Sequence, residues 1–227
     1  MTRPIVMCSA EFLWGVGLGS AVKALSSMDC DGIFIPTDGA FFPSRLGKED
    51  IYTITRAKNK RIIVGTPERD VNISSQNPYV SEASKRAVME VASFSKMIES
   101  DILVVDPGST YIDKYAAFIE IRRLIEKINQ EGLKTCLKVG HLVNSEDDLR
   151  YFGDIDVAVE LSGPWRSFKR IAVLMFQEEI DDRTLKELKD RNFTGYLVVR
   201  PKTFKYDYSG LKRFLPKLMY KIYSTWG

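Results

Sequence analysis

Histidine is nearly missing from this chain: His141 is the only one in 227 residues. A metal centre built on several imidazoles is therefore excluded, because one imidazole is not a site. Cysteine is scarce as well. Cys8, Cys30 and Cys136 are odd in number and have no CxxC spacing, which argues against a disulfide framework and against a structural zinc site. Cys30 and Cys136 read as small buried hydrophobes. No apolar run reaches the ~18 residues needed to cross a bilayer, so no membrane partner is expected. Met1-Thr2-Arg3-Pro4 runs directly into a strand-like segment with no signal-peptide core, and the expected compartment is the cytosol. Linkers, composition breaks and low-complexity stretches are also missing, so residues 1–227 read as one domain.

What the chain does have is an alternation. Ile5–Cys8, Gly32–Ile35, Arg61–Val64, Asp101–Val105, Thr135–Val139, Ile155–Leu161, Ile171–Phe176 and Gly195–Val199 are short apolar runs that read as eight strands. Helical stretches are expected near Ser20–Ser27, Lys48–Lys58, Ser81–Ser100, Ile112–Glu131 and Asp181–Arg191. A short helix follows Ser145, which has Asp148 at capping-box spacing. A last amphipathic segment, Leu211–Tyr223, contains Pro216, which is expected in the first turn of the final helix. Strands this apolar need cover on both faces, as in a parallel sheet. Eight of them, each followed by a helix or a substantial crossover, predict an α/β fold, a (β/α)8 TIM barrel.

Charge is unevenly spread over a net +3. From Lys202 onward six basic residues face one acid, Asp207. Tyr206, Tyr208, Tyr220, Tyr223 and Trp226 are interleaved with them. This tail could contact nucleic acid, with Lys and Arg on phosphate and the rings on bases. It reads equally as a solvated helix face whose aromatics cover the barrel wall. Gly15-Val16-Gly17-Leu18-Gly19-Ser20 opens a helix and could cradle an anion, but it lacks the last glycine of GxGxxG and a P-loop lysine. A flexible turn is the plainer reading. The polar loop from Glu68 to Pro78 is long for a connector, which suggests a functional or mobile segment.

Barrel enzymes keep their chemistry at the C-terminal ends of the strands. Here those ends offer Cys8, Glu11, Asp38, Glu68, Arg69, Asp106, Lys138, His141, Glu160, Glu178, Arg200 and Lys202. They make either a ligand site or a ring of ion pairs that closes the barrel mouth. Lys138 points inward if its neighbours point outward, and burial would lower its pKa toward that of a base or nucleophile. Pairing with Glu160 is the alternative. Lys138, Arg200 and Lys202 together could hold a phosphate or carboxylate. Glu68, Arg69 and His141 stand near them as further binding groups. Asp106 and Glu160 could work as an acid/base pair. Cys8 would be a nucleophile only if a cation lowered its pKa.

Several of these segments resemble a known family. Asp101–Gly108, DILVVDPG, is similar to the strand that ends in a His-Pro-Gly turn in xylose isomerase-like barrels. Ile180–Arg200, IDDRTLKELKDRNFTGYLVVR, resembles the family's late helix and last strand, and Gly32–Ile35 its second strand. That superfamily holds sugar isomerases and epimerases, inosose dehydratases and AP endonucleases. The resemblance implies a divalent metal held by Glu, Asp, His and Glu at the ends of strands five to eight. The nearest residues in this chain are Lys138, Glu160, Gln177 or Glu178, and Arg200. Two cations stand where carboxylates are expected, so the metal site is expected to be lost and no cofactor is expected. The resemblance then implies a divergent barrel that binds a small anionic ligand, sugar-like or sugar-phosphate-like. Its activity would be a metal-independent isomerase or epimerase. A nucleic-acid-associated relative of the AP endonucleases and a non-catalytic scaffold are the alternatives.

Overall fold

The computed structural model describes residues 2–69, 71–110, 113–202 and 208–227. Eight parallel strands close into a barrel in sequence order: β1 Ile5–Ser9, β2 Gly32–Pro36, β3 Arg61–Gly65, β4 Ile102–Val105, β5 Thr135–Lys138, β6 Asp156–Glu160, β7 Ile171–Gln177 and β8 Tyr196–Arg200. β8 pairs back onto β1 with Ile5 opposite Tyr196 and Cys8 opposite Val199. The helices are α1 Leu18–Ser26, α2 Lys48–Arg56, α3 Pro78–Met97, α4 Lys114–Gln130, α5 Glu146–Leu149, α6 Asp182–Asp190 and α7 Tyr208–Trp226. The α/β alternation read from the sequence is thus a TIM barrel.

Alternation along each strand sorts side chains into two layers. Met7, Phe34, Ile63, Val104, Cys136, Ala158, Met175 and Val198 point into the barrel and form its inner cluster. Their neighbours, such as Cys8, Ile33, Val105, Leu137 and Val199, point out to the helices and form the larger outer cluster. Gly65 belongs to this design. A Cβ there would lie 2.7 Å from Phe34 Cζ, so the missing side chain is what admits the Phe34 ring to the interior.

Local chemistry sets the helix ends. Asn77 caps α3 by accepting the Tyr79 N–H at 3.0 Å, and Pro78 takes the first turn, where its missing N–H costs nothing. The helix therefore starts before the expected Ser81. Asp113 caps α4 by accepting from Tyr115 and Ala116 at 3.1 and 2.9 Å. The expected start at Ile112 lies outside the described residues. Ser145 accepts the Asp148 N–H at 3.3 Å, and the Asp148 carboxylate accepts from Asn144 N–H at 3.0 Å.

Two differences from the sequence reading matter. Pro216 lies inside α7, not in its first turn. It is exposed, so the Lys212 carbonyl that loses its helical partner is left to water, and the helix continues through it. The crossover from β6 to β7 carries no α-helix, only a 3-10 turn at Trp165–Ser167. Trp165 and Phe168, 1% and 2% exposed, fill the wall there instead.

Candidate functional site

The inward parity of each strand carries one step past the hydrophobic interior. Above Met7 stands Ser9, above Val104 Asp106, above Cys136 Lys138, above Ala158 Glu160, and above Val198 Arg200. The C-terminal rim is therefore a polar layer laid directly on an apolar plug.

Arg200 is its centre. Nε and Nη2 fork onto Glu11 at 2.8 and 2.9 Å, a bidentate pair. Nη1 reaches Glu68 Oε1 at 3.0 Å and Glu160 Oε1 at 3.1 Å. The guanidinium is 15% exposed and its pKa is raised, because burial, which opposes its charge, is outweighed by Glu11, Glu68 and Glu160. Ser9 supports the arrangement by donating its hydroxyl to Glu11 Oε2 at 2.9 Å.

Lys138 holds the other side. Its ammonium lies 2.8 Å from Glu68 Oε1 and 3.4 Å from Asp106 Oδ2. Burial would lower its pKa, but Glu68 and Asp106 outweigh burial and raise it. Lys138 is thus a fixed ammonium, not the deprotonated base or nucleophile expected from burial alone. Its partners also differ from expectation: Glu68 and Asp106 take it, while Glu160 goes to Arg200.

Glu68 links the two cations. Burial would raise its pKa, and Arg200 and Lys138 bring it below the ordinary glutamate value. Its loop is pinned by Asp38, which accepts the Glu68 and Arg69 N–H groups at 3.0 and 3.2 Å. Asp106 is the contrary case. Burial lifts its pKa above the usual aspartate range although Lys138 pulls the other way. Gly108 N–H and Asp106 Oδ1 close the Asp-Pro-Gly turn at 2.8 Å.

Beside this network a cavity of about 400 Å³ opens over β3 to β6, with Glu68, Asp106, Lys138 and Glu160 in its wall and Arg69 and His141 at its edge. The structure thus brings together seven of the eight predicted site residues around one network and cavity. Lys202 is the exception: its ammonium turns to Glu179 at 3.5 Å. The expected anion clamp of Lys138, Arg200 and Lys202 does not form, because the first two cations are held by carboxylates and the third faces elsewhere.

Sequence reasoning placed Glu11 among the rim groups without assigning it a partner and did not single out Asn72. Glu11 follows β1, which becomes the neighbour of β8 only when the barrel closes. Asn72 clamps the Asp-Pro-Gly loop: Nδ2 donates to the Ser109 carbonyl at 2.9 Å and Oδ1 accepts the Ser109 N–H at 3.1 Å. Gly108, at φ +77°, makes room, since a Cβ would fall 2.3 Å from Asn72 Oδ1. The signal in the sequence was the glycine of that turn. Val71, Ile73 and Ser74 are buried, and Val71 and Asn72 line the cavity, so this stretch of the loop after β3 is packed rather than a plain surface connector.

Other candidates leave the site. Cys8 is fully buried in the outer layer, and burial pushes its thiol well up, so it is no rim nucleophile. The Gly17–Gly19 turn does not cradle an external anion: Asp50 already accepts the Gly19 N–H at 2.9 Å. In the basic tail, Trp226 is buried, Tyr223 stacks under Arg3 at 4.1 Å, and Tyr208 bonds the Ser27 hydroxyl at 3.1 Å. Tyr220 stays exposed, while Lys205, Tyr206 and Asp207 lie outside the described residues. Of the tail aromatics among the described residues, Trp226 and Tyr223 are therefore engaged in packing, while Tyr208 and Tyr220 remain exposed.

The divalent ion implied by the resemblance does not fit these residues. The ends of β5 to β8 are Lys138, Glu160, Gln177 and Arg200. Ammonium and guanidinium groups have no lone pair to offer, and a hard cation takes oxygen ligands. Among the described residues no group of three or more His, Cys, Asp or Glu side chains is placed to hold a metal. Also among the described residues, no helix is long and apolar enough to cross a membrane.

No family model and no curated protein matches the chain. Solved structures do. A D-psicose 3-epimerase determined in the presence of D-fructose superposes with a TM-score of 0.77 at 13% identity, over 98% of this chain and all of that one. D-psicose 3-epimerase from Clostridium cellulolyticum H10, with D-tagatose, gives 0.78 at 14% identity, over 97% and 99%. A xylose isomerase domain containing protein from Salmonella typhimurium LT2 gives 0.70 at 9% identity, over 96% and 97%. The chain therefore has the fold of the xylose isomerase-like TIM barrels, an architecture it shares with sugar epimerases.

Proposed function

We propose that the rim cavity binds a small, uncharged polyhydroxylated ligand of the sugar class, and that the protein isomerises or epimerises it by metal-independent proton transfer. The observation that carries this reading is that Asp106 and Glu160 face one cavity of about 400 Å³ with the Lys138 ammonium on the strand between them. One carboxylate takes a proton from the carbon beside a carbonyl, the charge moves to the carbonyl oxygen beside Lys138, and the other group, which enters as the carboxylic acid, gives its own proton to that carbon. The raised pKa of Asp106 suits it to hold a proton closer to neutral pH than an ordinary aspartate does. An uncharged ligand is favoured over a phosphate because Glu68, Asp106 and Glu160 outnumber the two cations of the cavity lining, Arg69 and Lys138, of which Lys138 is paired with Glu68. Two like charges 4 Å apart at a protein surface repel by ~4 kcal/mol, so a phosphate would meet a steep penalty.

Solvent deuterium exchange tests the reading. Incubation of the protein with D-fructose and a panel of other ketoses in D2O should label the carbon next to the carbonyl. Asp106→Asn and Glu160→Gln should each slow labelling at least a hundredfold, in the range general acid–base groups supply, and prior chelation should change nothing. Absence of exchange with every ketose, or its loss on chelation, would sink the proposal. A second reading, a barrel kept as a non-catalytic scaffold, is favoured by the engagement of all three Arg200 nitrogens with carboxylates. The same experiment separates the two.

A further inference from the structure

We propose that the opposite, N-terminal mouth of the barrel is a second ligand site, one that takes a flat aromatic anion. A cavity of about 440 Å³ opens there, below the β6–β7 crossover that lacks a helix. This volume falls within the ~300–1,000 Å³ typical of small-molecule sites. Its floor is apolar: Ile5, Ile102, Ala172, Leu188 and Phe193 line it, beside Trp165 and Tyr196. Ile5, Ala172 and Tyr196 belong to the lowest part of the barrel interior and are only partly buried, so the inner core is open to solvent at this end.

The strand geometry is irregular at the same place. Val157 pairs with Ile171 and Ala158 with Val173, so Ala172 is an extra residue in β7 with no partner on β6. Such bulges cluster beside sites because they re-aim side chains and release ladder groups.

The edge is cationic. Lys134, Lys169, Arg170 and Arg191 line the cavity against one acid, Asp156. Among the described residues Lys169 makes no ion pair, Lys134 and Arg191 are paired loosely at 3.3 and 3.4 Å, and Arg170 is held by Asp154 at 2.8 Å and Asp156 at 3.3 Å. Arg191 is 42% exposed and rests over the Trp165 ring at 5.1 Å, so its guanidinium caps an aromatic face at the cavity edge. Exposed pairs of this kind hold their partners weakly, and the cations can turn to an incoming anion at little cost. An apolar floor under a net positive edge matches a flat aromatic body with a negative headgroup. A carboxylate or a phosphate ester would supply that headgroup.

Titration with 1-anilinonaphthalene-8-sulfonate, followed by its fluorescence, tests the site on the intact chain. One molecule should bind, with an affinity that falls as salt is raised. Lys169→Glu combined with Arg191→Glu, both exposed positions, should weaken it at least tenfold while leaving the thermal melting curve in place. Glu160→Gln at the far rim should leave binding unchanged. Displacement by adenosine 5′-monophosphate alone assigns a phosphate headgroup, and displacement by benzoate alone assigns a carboxylate. No binding, equal binding to the charge-reversed protein, insensitivity to salt, or displacement by neither anion overturns the proposal.

Discussion

The two mouths of this barrel are built from the same kinds of residue and hold them in opposite ways. At the C-terminal rim Arg200 and Lys138 are 15% and 13% exposed and each faces more than one carboxylate. At the N-terminal mouth Lys134, Arg170 and Arg191 are 59%, 46% and 42% exposed and sit in surface pairs. Burial makes the difference. A charge removed from water must be compensated by a partner at close range, so the rim is rigid and its cations are committed. A charge left in water needs no partner, so the cations of the mouth remain available.

The largest test of that contrast is Arg200→Ala. It leaves Glu11, Glu68 and Glu160 facing each other without the guanidinium, and should cost about 3–5 kcal/mol of stability in urea unfolding at pH 7. The sign of the pH dependence follows from Glu68, whose folded pKa is depressed. In the wild-type protein its contribution is complete above the unfolded value of ~4.3 and is lost as pH falls through the lower folded value. The variant keeps the burial of Glu68 without Arg200, so its deficit should shrink as the pH is lowered toward that of the free carboxylate. A deficit that does not change with pH would show that lost packing, not charge, is what Arg200 supplies.

Gly108→Ala ranks next. A side chain at φ +77° is strained and collides with Asn72, so a loss of roughly 1–3 kcal/mol is expected, together with weaker ligand binding at the rim. Unchanged stability by thermal unfolding would remove Asn72 from its role in holding the cavity wall. Smaller again is Lys138→Met, read by carboxyl NMR. The Asp106 titration should move further up, since Lys138 is what holds it down against burial. A downward or null movement would break the assignment of Lys138 as the partner of Asp106. The smallest effect is expected at the other mouth. Lys134→Ala should leave the urea midpoint within measurement error, as exposed pairs usually do. A large shift there would erase the distinction between the two ends.

The strands were legible because their signal is local. Ile171–Phe176 and Gly195–Val199 carry unbroken apolar side chains, and the observed β7 and β8 extend only a residue or so beyond or shift by one. The same alternation correctly aimed Lys138 inward. Capping was harder to see, since Asn77-Pro78 ahead of α3 looked like the end of a loop. Pro216 was misplaced because a sequence does not say which helix face meets water. For Lys138 the pattern left open a pKa lowered by burial or a pair with Glu160; a pair forms, but with Glu68 and Asp106, whose approach no local pattern shows.

Sequence alone determined the α/β order, the apolar plug of the barrel and the residues that stand one step above it, since each depends on alternation within a few residues. Tertiary structure decided which of those residues meet. Glu11 and Arg200 lie 189 positions apart and form a bidentate pair because closure sets β1 against β8. Lys138 passes over Glu160 on the adjoining strand for Glu68, which the Asp38-anchored loop brings within 2.8 Å. Contacts of this kind depend on where loops from distant strands converge, and only the closed barrel fixes that.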